Sequence, residues 1–268
     1  MYKIGFIGAG AMAEAIVTGL LANHLCSADE IIMSNRSQEK LKLLADAKGI
    51  IAAKDNQEVL QTAEVIVLAV KPQQYQEIKS KLAGLLKEKQ AVVSIMAGIT
   101  LADLQECFGD LPIFRAMPNT PAKIGCGMTG LADNGLATKE QKNFVASIFS
   151  SVGQVLEIAE SNMDALGALS GSGPAYCYEL LEAMADGGVM LGLPRAAAYQ
   201  LAAQTMLGSA QMLLQTGEHP GVLKDQVTSP GGTTIRGLKV MEKAGVRGIM
   251  METIEQAYLQ TKQLGAKK

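Results

Sequence analysis

The sequence predicts an α/β protein, an N-terminal doubly wound sheet followed by an all-helical domain. Three observations predict it. Short β-branched runs alternate with amphipathic stretches up to residue 160 of 268, a glycine-rich turn follows the first run, and from residue 161 strand patterns give way to Ala-, Leu-, Met- and Glu-rich segments. Hydrophobic residues make up 48% and charged residues 19%, which supplies packed cores and excludes a disordered chain. The expected domains are therefore 1–160 and 161–268.

Strands are expected at 3–8, 30–34, 50–52, 65–70, 91–95, 113–117, 127–132 and 154–158. Residues 65–70 read Val-Ile-Val-Leu-Ala-Val, apolar on both faces, as a central parallel strand requires. Helical patterns at 37–47, 75–86 and 139–151 lie between strands, so the sheet should be mostly parallel and covered on both faces. The second part should hold helices at 174–191, 195–215, 233–243 and 247–264. Pro174 and Pro194 stand at expected helix starts, Gly192 and Gly217 at expected ends. Met184, Met190, Met206 and Met212 read as core filling, with a subunit interface as the other use. So apolar a small helical domain is expected to hide its excess surface by self-association. The Lys267-Lys268 end is expected to fray.

Charge and composition exclude several classes. Lys plus Arg is 24 and Asp plus Glu 26, so no basic excess exists to bind nucleic acid. No apolar run reaches the roughly 18 residues of a membrane span. Two histidines and four scattered cysteines argue against a metal site or a disulfide framework. The N-terminus passes at once into a strand rather than a secretory signal, so a cytoplasmic protein is expected.

The first chemical signal is Gly8-Ala9-Gly10-Ala11-Met12-Ala13, a G-x-G-x-x-A run between the first strand and a helix. Gly8 allows a tight turn, Gly10 admits a pyrophosphate to the helix N-terminus, and Ala13 lets helix and strand approach. The Rossmann-like reading follows from this context, not from the glycines alone. An NAD site usually ends its second strand in Asp or Glu, about 20 residues past the glycines. Here that place reads Ser34-Asn35-Arg36-Ser37, which offers a cation and hydrogen bonds, so NADPH is expected over NADH. Asn56 can approach the adenine. Ala69-Val70-Lys71-Pro72 and Met96-Ala97-Gly98 follow the next strands and can border the ribose and nicotinamide.

The second signal lies in the helical part. Residues 169–176 and 227–234 are Ser/Gly/Pro/Thr clusters, each preceding a helix. Such helix starts can cap themselves or hold a carboxylate; two of them beside a cofactor domain point to a small anionic substrate. No nucleophile–base pair is evident, and hydride transfer needs none.

Taken together, the glycine run, residues 69–72, Ala97-Gly98-Ile99-Thr100, Arg115-Ala116-Met117-Pro118-Asn119-Thr120-Pro121, 169–176, Ala185-Asp186-Gly187-Gly188, Gly192-Leu193-Pro194-Arg195 and 229–234 closely resemble the pyrroline-5-carboxylate reductase family. The resemblance implies reduction of L-1-pyrroline-5-carboxylate to L-proline with NADPH or NADH, the last step of proline synthesis. It also implies a helical dimerisation domain, a homodimer as the minimal active unit, and further assembly, commonly into decamers. By the same resemblance Thr234 bonds the ring nitrogen and the backbone N–H groups of Thr233 and Thr234 cradle the carboxylate, which the loop from Ser229 through Gly232 to Thr234 can hold. Glu160 stands on the substrate side, and Ala97 borders the nicotinamide. Two positions depart from the family pattern: Thr233 replaces a frequent Ala, and Gln226 stands where some members have Asn. The β-hydroxyacid dehydrogenases share the outline but use a lysine in the helical domain, and no lysine lies between Lys142 and Lys224.

Overall fold

A computed structural model describes residues 1–266, with side chains through Gln263; the Lys267-Lys268 end lies outside the described residues. The first part alternates β1 (Tyr2–Ile7), α1 (Ala11–Ala22), β2 (Ile31–Ser34), α2 (Gln38–Lys48), β3 (Ile51–Ala52), α3 (Asn56–Thr62), β4 (Ala63–Leu68), α4 (Pro72–Leu82), β5 (Ala91–Ser94), α5 (Leu101–Phe108), β6 (Ile113–Pro118), β7 (Gly127–Asp133), α6 (Lys139–Ser150) and β8 (Gly153–Glu157). The helices that follow are α7 (Met163–Leu166), α8 (Gly173–Met190), α9 (Arg195–Thr216), α10 (Pro220–Gln226), α11 (Thr233–Lys243) and α12 (Val246–Ala266). By packing they fall into two compact units: Met1–Gly171 together with the segment from Tyr258, and Ser172–Ala257.

The eight strands form one sheet in the order β3-β2-β1-β4-β5-β6-β7-β8. Strands β1 to β6 run parallel, β7 turns antiparallel against β6, and β8 follows β7. Alternate side chains feed two cores. Ile4, Phe6, Val65 and Val67 face α1, α2 and α6 through Ile16, Leu20, Leu41 and Phe149. Ile7, Ile66 and Leu68 face α3, α4 and α5 through Val59, Tyr75 and Leu104. Strand order reverses between β1 and β4, and in open sheets that reversal opens a crevice at the strands' carboxyl ends.

Three elements differ from expectation. Helix α4 starts at Pro72 rather than 75, because proline suits a first helical turn. Residues 163–171 form α7 and one π turn (Gly167–Gly171) instead of a loop. A short α10 forms between the helices expected at 195–215 and 233–243, with His219 Nδ1 accepting the Gly221 N–H at 3.0 Å.

In the second unit α8 and α9 pack through Ala185, Ala198 and Ala202, the fully buried apolar residues of its core. Met184, Met190 and Met212 are 46%, 86% and 50% exposed, so within the single chain they do not fill a core as expected. The unit is too thin for it: two helices meeting on alanines, with Leu181 and Val189 partly buried against them, leave most of their longer side chains outside. Among the described residues no helix is long and apolar enough to cross a membrane.

Candidate active site

Glycine chemistry builds the cofactor side. Gly8 has φ +107°, and a Cβ there would lie 2.6 Å from the Ala69 carbonyl oxygen, so only glycine fits between β1 and β4. The Gly8 N–H donates to Ser34 O at 2.8 Å, which stitches the turn to β2. Gly10 differs: its φ is −78°, and a Cβ would meet only Ala69 O, at 3.8 Å. The protein's own packing therefore leaves room above Gly10. Gly10 is also the N-cap of α1 and provides no side chain to close it, so the first N–H groups of Ala11, Met12 and Ala13 stay open to an anion. That open cradle fits a dinucleotide pyrophosphate.

Beside it lies a groove of 320 Å³ lined by Gly8, Asn35, Arg36, Lys54, Asn56 and Val70, among others. Asn35 Oδ1 accepts the Ala9 N–H at 3.3 Å and so ties the second strand's end to the glycine turn. Ser34 does not face the groove. It is 1% exposed and its hydroxyl donates to Asn56 Oδ1 at 2.7 Å, so it sets Asn56 rather than offering a bond to a phosphate. Ser37 Oγ accepts the Lys40 N–H and caps α2, leaving Arg36 exposed at the rim. Lys54, just past β3, is a second cation on this groove; its only sequence signal is its place at a strand's carboxyl end.

The border expected for the ribose and nicotinamide comes next. Ala69 N–H donates to Ile7 O at 2.9 Å, Val70 lines the groove, Lys71 is the exposed N-cap of α4, and Pro72 opens that helix. Met96 is buried while Ala97 is exposed and Gly98 half-buried, so Ala97 is the surface this loop presents.

The second unit carries the residues expected for substrate. Gly232 N–H donates to Ser229 O at 3.1 Å in a tight turn, and a Cβ on Gly232 would collide with Ser229 Oγ. Gly232 is the N-cap of α11, so no side chain closes this helix either, and Thr233 and Thr234 are its first two residues. Thr233 and Ser229 are exposed and Thr234 half-buried. An 11-residue helix with an open N-terminus and two hydroxyls is suited to a carboxylate.

Glu160, the other residue expected on the substrate side, and the motif residue Asn119 belong to the first unit. Glu160 Oε1 accepts the Leu101 N–H at 2.6 Å and faces Arg115 Nη1 at 3.2 Å. Asn119 Nδ2 donates to Ser170 O and Oγ, both at 3.2 Å, while its Oδ1 accepts Met128 N–H at 2.8 Å. The first Ser/Gly cluster is therefore tied down internally at Ser170.

Comparison with known proteins agrees. A family model described as pyrroline-5-carboxylate reductase dimerisation matches residues 160–264, and one described as coenzyme F420-dependent NADP oxidoreductase matches 3–98. The pyrroline-5-carboxylate reductase of Synechocystis is 45% identical over 99% of both chains. The solved structure of a pyrroline-5-carboxylate reductase from Coxiella burnetii superposes with a TM-score of 0.89 at 38% identity, covering 98% of each chain. The pyrroline carboxylate reductase of Plasmodium falciparum, solved with NADP bound, gives 0.87 at 30% identity over 98% of each. An open glycine cradle at the sheet's reversal point, joined in one chain to a helical part of this kind, has its full-length counterparts there: the chain belongs to the pyrroline-5-carboxylate reductase family.

Proposed function

We propose that the protein reduces L-1-pyrroline-5-carboxylate to L-proline with NADPH, and with NADH less readily, as the last step of proline synthesis. The observation that carries this reading is 45% identity to a protein of that name along 99% of both chains. The two open helix N-termini, α1 behind Gly10 and α11 behind Gly232, are what such a reaction needs.

Gly8, Gly10 and the first turn of α1 would hold the pyrophosphate. Asn35, Arg36 and Lys54 would favour a 2′-phosphate, since the end of β2 carries no carboxylate to repel one. Residues 69–72 and 96–98 would border the ribose and nicotinamide. Bound NADPH supplies the hydride. The Ser229, Gly232 and Thr233 turn would hold the substrate carboxylate, and Thr234 would orient the ring nitrogen. A protonated imine accepts hydride better than a neutral one, and a threonine hydroxyl is too weak an acid to be the final proton source, so Thr234 orients rather than protonates. Glu160 would stand on the substrate side.

The division at residue 160, a homodimer as the minimal active unit, decameric assembly and a cytoplasmic location belong to the same reading. The exposed apolar side chains of α8 and α9, among them Met190 at 86% and Tyr199 at 43%, support self-association. The test is loss of NADPH absorbance with purified protein and pyrroline-5-carboxylate, with NADH run in parallel. Proline-forming turnover that is faster with NADPH is the expected result. Binding of NADPH with no imine turned over would favour a nucleotide sensor instead.

A further inference from the structure

Arg115 is the one charged residue among the described residues that is buried, at 3% exposed. It stands on β6 in register with Ser94, the last residue of β5. Its Nη1 meets Glu160 Oε1 at 3.2 Å, its Nη2 meets Asp164 Oδ1 at 3.5 Å, and its Nε has no partner. A buried guanidinium with one unmet donor and single contacts to two carboxylates that are 30% and 34% exposed is a poor stabiliser, because its desolvation offsets the attraction. The arrangement calls for another use.

Glu160 points to that use. The oxygen that faces Arg115 also accepts the Leu101 N–H at 2.6 Å. Leu101 is the first residue of α5, and residues 96–98 run into it through Ile99 and Thr100. The other end of this loop is tied as well. Ser94 is fully buried, and its Oγ accepts the Met96 N–H at 3.2 Å. The loop is thus strung between Ser94, beside Arg115 in the sheet, and a carboxylate that Arg115 holds.

We infer that Arg115 and Glu160 are positioning residues for the reduction. Arg115 fixes the Glu160 carboxylate, and Glu160, through the Leu101 N–H, fixes the Ala97-Gly98 backbone that borders the nicotinamide. The inference rests on the reductase reading. Neither side chain need touch substrate or cofactor. Its weight comes from geometry, since misplacing reacting groups by an ångström costs about a hundredfold in rate.

Three variants separate the parts. Glu160→Gln keeps an acceptor oxygen for Leu101 but not the charge. Glu160→Ala removes both. Leu101→Pro keeps the carboxylate and removes the donor, together with the buried Leu101 side chain, at a first helical position that suits proline and after Thr100, whose ψ of 165° is the extended conformation a following proline prefers. The full chain is used throughout. Amide exchange at residues 96–100 is followed without added cofactor, NADPH affinity by fluorescence, and kcat and imine KM with NADPH.

Glu160→Ala should speed exchange at residues 96–100 and lower kcat, each by about tenfold, with NADPH Kd and imine KM within about threefold. Leu101→Pro should lose kcat likewise, and Glu160→Gln, which keeps the acceptor but weakens the hold of Arg115, should fall between Glu160→Ala and wild type in exchange and kcat. Unchanged exchange with kcat within about twofold in Glu160→Ala would overturn the inference. So would a tenfold-scale rise in imine KM for Glu160→Ala while Leu101→Pro behaves as wild type, since Glu160 would then contact substrate. If Glu160→Ala does not fold, Leu101→Pro decides, and kcat within about twofold of wild type overturns the inference. A wild type that reduces no imine defeats the reductase reading instead, and is told apart by the exchange data.

Discussion

At the scale of single residues, the two glycines of the turn should separate fold from binding. Gly8→Ala puts a side chain at φ +107° and 2.6 Å from a backbone oxygen, so it should cost at least about 2 kcal/mol of stability. Gly10→Ala meets nothing closer than 3.8 Å, so its cost should be that of a poorer N-cap, about 1 kcal/mol. Its effect should fall on NADPH, whose Kd should rise by about tenfold, or 1.4 kcal/mol. Calorimetry and fluorescence titration read the two effects separately, and a Gly10→Ala protein that binds NADPH as wild type does would mean that the cradle is not where the pyrophosphate rests. Thr234 gives the complementary case. Thr234→Ala sits at the second position of α11, half-buried, and should lower kcat by about a hundredfold while NADPH Kd stays within twofold. Unaltered turnover would remove Thr234 from the chemistry.

At the scale of elements, β1 and the turn before β2 are clamped by charge. Lys3 Nζ lies 2.8 Å from Glu30 Oε1, and Glu30 Oε2 accepts the Ser27 N–H at 3.0 Å. The bond from Lys3 first, and then the Ser27 backbone, hold the Glu30 carboxyl down at about 2, against an ordinary 4.5. Because the folded value is the lower one, the clamp stabilises above pH 4.5 and fades as pH falls toward 2. The pair is exposed, so the effect is small. The gap in Tm between wild type and Glu30→Gln should be level at neutral pH and close toward pH 2. A gap that widened in acid would mean that the carboxyl is not held down. The elements also show what was legible in advance. Most of the strands are readable because β-branched runs between turn residues admit few other structures; β7, Gly127–Asp133, has only Thr129 of that kind and is placed by the alternation around it. The start of β4 is not readable: Ala63-Glu64 carries no strand signature, and pairing of Tyr2 with Ala63 extends the strand there. The π turn at Gly167–Gly171 is hidden for a similar reason, since Asn119, 51 residues away, anchors its Ser170. In the candidate site the glycine turn and residues 229–234 are legible because backbone-donor chemistry leaves a local pattern. Lys54 is not, nor is what Glu160 does, because its partners Leu101 and Arg115 lie 59 and 45 residues away.

At the scale of the whole molecule, the second unit poses a problem of stability. Its buried core is Ala185, Ala198 and Ala202, while Leu201, Leu207, Leu214 and Met251 are 55%, 51%, 81% and 66% exposed. Burying one such large side chain is worth about 1.5–3 kcal/mol, and three alanines cannot replace several of them. So thin a core contributes little to the stability of the unit, and we expect its folding to be coupled to association. Coupling has a thermodynamic signature. For a folded dimer in equilibrium with unfolded monomers, each tenfold rise in protein concentration adds about 1.4 kcal/mol to the apparent stability. Spread over the two chains of 268 residues that unfold together, that should raise Tm by about 1 °C per decade. Scans from about 1 to 100 µM, with mass measured in parallel, should show this rise and no folded monomer at any concentration. A Tm independent of concentration, in a protein that sediments as a monomer, would mean that the exposed apolar face is tolerated in water. The dimer would then have no part in holding α8 to α12 together, and the case for it as the minimal active unit would fall with it.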